Sequence, residues 1–230
     1  MSGSLRFCLM SVALVFVFSF FAACDKKTEK AVSVLKRMET NYKSLKSFRA
    51  DITMDKFNSQ FGENDISKGR FIYLKPEKGL PSVRIDWTKP VEESLTFVNN
   101  EYTLYRPRLG QAIIGKLDRA VVSTVLKDGL DFLDKSKVQL KADLNFKYLG
   151  RQKLDNGILT EHLELTSKTA QSYKAIEFWT DKSGMLIQFK IILNDNDSIT
   201  VLFTNIEKNI NIELDVFKLN PPKNTKIIRG

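Results

Sequence analysis

The chain has 230 residues, 43% of them hydrophobic and 10% aromatic, enough for one domain with a substantial core and too few to require two. Its formal charge is +9 and falls by one unit if the first 23 residues are removed. Lysine and arginine are scattered through every segment rather than gathered into a basic run alternating with aromatics, which argues against a nucleic-acid partner; such a balance suits an anionic membrane, an acidic partner or a generally solvated basic surface.

Residues 1–23 read as a secretory signal peptide. Arg6 gives a short positive start, Phe7 to Ala23 is uninterrupted by charge, and Ala22-Ala23 precede Cys24 and the charged stretch Asp25-Lys26-Lys27. The apolar run is shorter than the roughly 20 residues a spanning helix needs. Phe21-Ala22-Ala23-Cys24 resembles a bacterial lipobox with Phe where Leu is usual, so two outcomes stand open: lipidation of Cys24, or ordinary cleavage nearby. Acyl chains on Cys24, at about 0.8 kcal/mol per buried CH₂, would hold the protein stably on a membrane. Asp25 resembles an inner-membrane retention signal. Cys8 leaves with the signal, so no disulfide framework is expected in the exported domain, residues 24–230.

From Thr28 to Ser47, Val32, Leu35, Met38, Tyr42 and Leu45 recur at helical spacing, predicting an amphipathic helix that covers an end of a sheet. Phe48 to Phe57 alternates, with Phe48, Ala50, Ile52 and Met54 on one side, as a half-buried strand does. Asn58 to Lys68 is polar, contains Gly62 and reads as a loop. Four strands follow, over Gly69 to Lys75, Ser82 to Thr88, Glu93 to Val98 and Tyr102 to Arg106, with a tight turn at Asn99-Asn100. Pro76, Pro81, Pro90 and Pro107 fall at strand ends or in connections.

Ala112 to Ile114 is a short apolar piece, and the spacing over Leu117 to Leu133 predicts a second short helix. Five more strands are expected over Asn145 to Gln152, Ile158 to Thr166, Tyr173 to Thr180, Met185 to Leu193 and Ser198 to Ile206, joined by polar turns. The fold class is therefore mainly β (α+β): a curved antiparallel sheet of about 11 strands, forming an unclosed barrel or half-barrel with helices on its concave side. The residues expected to face inward are Phe71, Ile85, Trp87, Phe97, Leu104, Phe178, Ile187, Phe189, Ile191 and Phe203. Singly each is an ordinary core residue; as a set, in a sheet too wide for its own side chains to fill, they would line a site for an apolar ligand.

The span from Thr88-Lys89-Pro90 through Tyr105-Arg106-Pro107 to Gln111 resembles the lipoprotein-carrier family of LolA and LolB, with its T-x-P start, acidic-Ser segment, tight turn and Y-x-P with Gln four residues on. Gly69 to Pro76 resembles that family's strand ending in R/K-P, and Phe217 to Pro222 with Thr225 and Ile227 its closing F-x-x-x-P-P segment. The resemblance implies an unclosed β-barrel with an α-helical lid, binding acyl chains of acylated lipoproteins or lipids, with an inner-membrane transporter or outer-membrane receptor as further partners and no cofactor. In the family's soluble carrier an Arg before the strand-end Pro helps hold the lid. Here Lys75 stands there, keeping the charge but losing the bidentate fork, and the connection Glu77 to Pro81 is longer. Related barrels in regulators of envelope stress bind a protein instead, so a sensor or interaction domain is the alternative.

Catalytic signatures are absent from the sequence. His162 is the only histidine, beside Glu161 and Glu164, and lacks the nucleophile and orienting group a general base would serve. There is no nucleophile elbow, P-loop or dinucleotide fingerprint, and no metal-ligand spacing. Asp181 to Gly184 and Asp195 to Asp197 lack the full spacing of calcium loops and read as turns.

Overall fold

A long hairpin at the centre of the sheet joins two meanders. Its arms are β1 (Ser47–Asn58) and β2 (Glu63–Leu74), paired antiparallel along their whole length from Ser47–Leu74 to Asn58–Glu63. The structure, a computed structural model, describes residues 27–77, 80–116, 144–168 and 173–229. The targeting segment with Cys24 and the second helix expected over 117–133 lie outside the described residues.

On one side of the hairpin follow β3 (Ser82–Lys89), β4 (Glu93–Val98), β5 (Glu101–Arg106) and β6 (Gln111–Lys116). On the other side β1 pairs with β11 (Ser198–Lys208), beyond which lie β10 (Leu186–Leu193), β9 (Tyr173–Thr180), β8 (Leu159–Ser167) and β7 (Leu144–Lys153). A short strand β12 (Lys226–Arg229) adds to β6 in parallel, the one departure from antiparallel pairing among the described residues. Among the described residues the sheet thus runs β12-β6-β5-β4-β3-β2-β1-β11-β10-β9-β8-β7, twelve strands curved but not closed, with β7 and β12 as its edges.

One expectation is corrected. Asn58 to Lys68 is not a loop: β2 begins at Glu63, and only a tight turn separates it from β1. Gly62 takes φ +68 in that turn, and the Asn58 side-chain oxygen accepts the N–H groups of Gln60 and Phe61, so local hydrogen bonding closes the hairpin. The arm reads as polar because residues 63–67 project beyond β3, which pairs with β2 only from Lys68 onward. A strand segment solvated on both faces has no apolar alternation to show.

The pleat places Phe48, Ala50 and Ile52 of β1 on one face, opposite Tyr73, Phe71 and Gly69 of β2. That face continues across both meanders into one apolar cluster that includes Val83, Ile85, Leu95, Phe97, Leu163, Phe178, Phe189 and Val201. The helix α1, residues 27–44, lies on the same cluster through Ala31, Val34, Leu35 and Met38. A smaller cluster on the opposite face packs Ile72 against Ile212 and Phe217. The chain after β11 is strapped there: Asn209 donates to the Ser47 carbonyl at 2.8 Å, and Arg84 donates to the Val216 carbonyl at 2.6 Å while gripping Asp86. Phe217, part of the expected closing segment, is thereby buried on the outer face, and the strap ends in β12.

Candidate functional site: an apolar interior under a covering helix

The register sets the expected interior residues side by side. Phe71 lies opposite Ile85, Ile85 opposite Leu95 and Leu95 opposite Leu104. On the other meander Phe189 lies opposite Phe178, and Ile191 opposite Ile176. Phe71, Ile85, Phe97, Leu104, Phe178, Ile187, Phe189, Ile191 and Phe203 are all buried in the one cluster, while Trp87 is half-buried and packs at its margin. The two meanders meet at an aromatic knot. Phe48 stacks on Phe71 with centroids 5.0 Å apart, Phe203 meets Phe71 edge-on at 5.2 Å, and Phe189 lies 6.5 Å from Phe203. Such offset and edge-on pairs are the favoured aromatic geometries. Phe48, at the seam itself, is a member that the sequence reading placed only on a strand.

α1 is held over this interior at three places. Near its C-terminal end Tyr42 accepts a hydrogen bond from the Tyr73 hydroxyl at 3.1 Å, and the Lys75 ammonium lies 4.4 Å from the Tyr42 ring centroid. The Lys75 amide also donates to the Lys46 carbonyl at 2.7 Å. Lys75, the residue expected at the lid, therefore touches the covering helix. In the middle, the turn between β9 and β10 passes directly beneath α1. Gly184 has φ +87, and a Cβ there would stand 2.4 Å from the Arg37 carbonyl carbon, so only glycine fits. The Asn41 side chain donates to the Ser183 hydroxyl at 3.1 Å beside it. Asp181 shapes this turn by accepting the Ser183 and Met185 amides.

The third place is an ion cluster absent from the sequence reading. Glu161 on β8 shares the inward face with Leu163 and Leu165, and its side chain is only 9% exposed. Lys30 Nζ, Arg37 Nη2 and Arg151 Nε stand 3.5, 3.8 and 3.3 Å from the same carboxylate oxygen, Oε1, while Tyr148 donates its hydroxyl to Oε2. Lys30 and Arg37 belong to α1, Arg151 and Tyr148 to β7. Burial pushes the Glu161 carboxyl up, but the Tyr148 hydrogen bond and the charges of Lys30 and Arg151 outweigh it and hold it below the usual glutamate value. Burial first, and then Glu161, push the Tyr148 phenol up to about 12. Two sequence signals mark this cluster: a carboxylate at an inward position between apolar neighbours, and two cations seven residues apart on one helix face.

His162 stands one residue on, facing the opposite side of the sheet. It stacks on Trp179 at 4.1 Å and its Nε2 lies 2.9 Å from a Glu177 oxygen, while Trp179 donates to the Gln152 side chain at 2.7 Å. These contacts support β7, β8 and β9 from outside. Among the described residues no three His, Cys, Asp or Glu side chains gather in a metal-binding group, and no helix is long and apolar enough to cross a membrane.

Residues 43–220 match the family described as outer membrane lipoprotein carrier protein LolA. Over 202 residues the chain is 24% identical to an outer-membrane lipoprotein carrier protein of Nitrosomonas europaea, covering 86% of this chain and 89% of that one. In three dimensions it is similar to an uncharacterized conserved protein from Thermus thermophilus, with TM-score 0.56, 15% identity, and 87% and 99% of the two chains covered. It is also similar to the Pseudomonas aeruginosa MucA/MucB complex structure, with TM-score 0.53 and 12% identity, covering 83% of this chain and 61% of that one. At those identities the two structures speak to the fold alone. The family match takes in all ten interior positions, Lys75, Glu161 and the strap at Phe217, and with it the chain belongs to the LolA outer membrane lipoprotein carrier family.

Proposed function

We propose that this protein is an exported, membrane-anchored carrier that takes acyl chains of lipoproteins or related lipids into the apolar interior beneath α1 and passes them toward the outer membrane. The observation that carries the reading is the continuity of that interior. A single apolar face runs from Leu104 on β5 through the Phe48–Phe71–Phe203 knot to Leu163 on β8, and α1 covers it with Val34, Leu35 and Met38. Displacing α1 exposes a broad apolar surface suited to hydrocarbon chains, which need no polar partners. Lys75 serves as the gate: its point charge over Tyr42 holds the helix without the geometric fixity of an arginine fork. The signal peptide ends before Cys24, and acylation of Cys24 supplies the anchor, leaving residues 24–230 as the carrier domain.

The test is to extract the protein and its Cys24→Ala variant from membranes and measure intact mass and co-purifying lipids in the same samples. A diacyl or triacyl addition confined to the wild type, with acyl cargo in both proteins, supports the reading. A protein free of lipid that also fails to take up a fluorescent fatty acid overturns it. A second reading follows from the MucA/MucB likeness: an envelope sensor or interaction domain on the same scaffold. Stoichiometric capture of one protein partner, independent of lipid, supports that alternative.

A further inference from the structure

Three cationic nitrogens converge on one oxygen of one buried carboxylate, and the charges do not balance. Lys30, Arg37 and Arg151 bring three positive charges to the single negative charge of Glu161. Tyr148 contributes none, because its phenol, pushed up to about 12, keeps its proton at neutral pH. Among the described residues the cluster therefore carries an excess of two positive charges within a few ångströms, in a place where the carboxylate is buried and the cations are not. The Lys30, Arg37 and Arg151 side chains are 37%, 31% and 63% exposed, so their outward sides are open to solvent. Donor capacity remains on the buried side too. Among the described residues, Arg37 Nε and the hydroxyl of Thr180, a fully buried residue directly opposite Glu161 in the ladder, have no hydrogen-bond partner.

The location gives the excess charge a use. Glu161 continues the row of Leu163 and Leu165 along the inner face of β8, and Tyr148 and Phe146 of β7 pack against the apolar cluster. A ligand whose chains lie along that face would bring its polar end to Lys30, Arg37 and Arg151. We infer that this cluster is an anion site, and that it takes the phosphate of a lipid headgroup. Phosphate suits it on chemical grounds: a phosphodiester keeps a full negative charge spread over two unesterified oxygens, which can meet more than one cation at once, and the guanidinium planes of Arg37 and Arg151 match such oxygens bidentately. The inference rests on the acyl-binding reading above for the source of the phosphate, and on the cluster alone for the anion.

The experiment is displacement of a fluorescent fatty acid from the full mature chain by dioleoylphosphatidylglycerol and by dioleoylglycerol, which share their chains and differ in the phosphate-bearing headgroup. Charge-assisted contacts of this kind correspond to about tenfold or more in affinity, so phosphatidylglycerol is expected to displace the probe at about one-tenth the concentration. The ratio should fall toward one in Lys30→Gln and Arg151→Gln, which leave Glu161 paired with Arg37. It should persist in Lys147→Gln, which removes a charge from the outer face of the same strand, where Lys147 pairs with Glu164. A ratio near one in the wild type, or one unchanged by Lys30→Gln and Arg151→Gln, overturns the inference. If neither lipid displaces the probe, the acyl reading fails, and titration with inorganic phosphate followed by ³¹P NMR decides the site by itself. Saturable binding lost in the Lys30→Gln/Arg151→Gln double variant upholds an anion site for free phosphate, and its absence overturns that as well.

Discussion

Replacing Glu161 by glutamine keeps the shape of the side chain and removes the only negative charge that the described residues bring to its cluster, so it measures how firmly electrostatics fastens α1 to the sheet. The carboxylate attracts cations at 3.3, 3.5 and 3.8 Å. At an effective dielectric constant of 20 each contact is about 4 kcal/mol gross, and in bulk water about 1 kcal/mol. Glu161 is buried but its partners are one-third to two-thirds exposed, which places the contacts toward the watery limit. Removing one partner of a fully buried pair costs about 3–5 kcal/mol, and relief from desolvating the carboxylate returns part of the loss here, so the expected destabilisation is about 2–3 kcal/mol. Urea unfolding should report it as a midpoint shift of about 1 M with an unchanged slope. Hydrogen exchange should show the larger relative loss of protection in residues 27–44, because two of the three stranded cations sit on α1. A destabilisation below about 0.5 kcal/mol, with α1 protected as in the wild type, would refute the argument that this cluster fastens the helix.

The pH dependence follows from the same groups. The folded state holds the Glu161 carboxyl below its unfolded value, so its contribution is present above the unfolded pKa and lost as pH falls through the folded one; Tyr148 is raised, so its contribution is present below pH 10 and lost as pH rises toward about 12. Wild-type stability should therefore decline at both extremes, and Tyr148→Phe should flatten the alkaline limb in a series of urea midpoints. Gly184→Ala forces a Cβ to within 2.4 Å of the Arg37 backbone at a left-handed φ, and should cost at least about 2 kcal/mol and shift α1, read by thermal unfolding and helix exchange. Phe203→Ala opens the aromatic knot and should cost about 3–5 kcal/mol, with loss of near-ultraviolet aromatic circular dichroism. Phe217→Ala should loosen the outer strap and lower exchange protection in β12 while leaving fatty-acid uptake unchanged, since Phe217 packs on the face away from the interior.

Which features were legible in the sequence follows from which forces write a pattern into it. Strands half-buried on a sheet alternate, and β4 and β9 begin and end where the alternation does, at Glu93–Val98 and Tyr173–Thr180. Inward positions were readable for the same reason, and the ten interior residues share one cluster because the register carries each apolar row across to the next strand. The overhanging half of β2 wrote no pattern, since Asn64 and Asp65 face water on both sides, and its pairing with Phe57 and Lys56 rests on backbone hydrogen bonds. β12 is too short to have a period and depends on the strap for its position. The Glu161 cluster was hidden for a different reason. It assembles Lys30 and Arg37 of α1 with Tyr148, Arg151 and Glu161 of the β7–β8 pair more than a hundred residues further on, and only the register of β7 on β8 and the seat of α1 bring them together.

That assembly bears on how a covering helix can both hold and yield. The apolar face of α1 gives adhesion to the interior, roughly 25 cal/mol for each Å² removed from water, with little preference for one seating over another. A hydrocarbon chain offers the interior the same kind of contact, so apolar adhesion alone sets helix and ligand in direct competition without specifying where either sits. The polar contacts supply the position: Asn41 on Ser183, Tyr42 between Tyr73 and Lys75, and Glu161 beneath Lys30 and Arg37. All three involve groups that water can also satisfy, so the helix loses its placement when they part at a cost of only a few kcal/mol. An anion arriving at Lys30, Arg37 and Arg151 weakens their hold on Glu161 while it gains contacts of its own. The groups that seat the helix are then the groups that sense what has come to take its place.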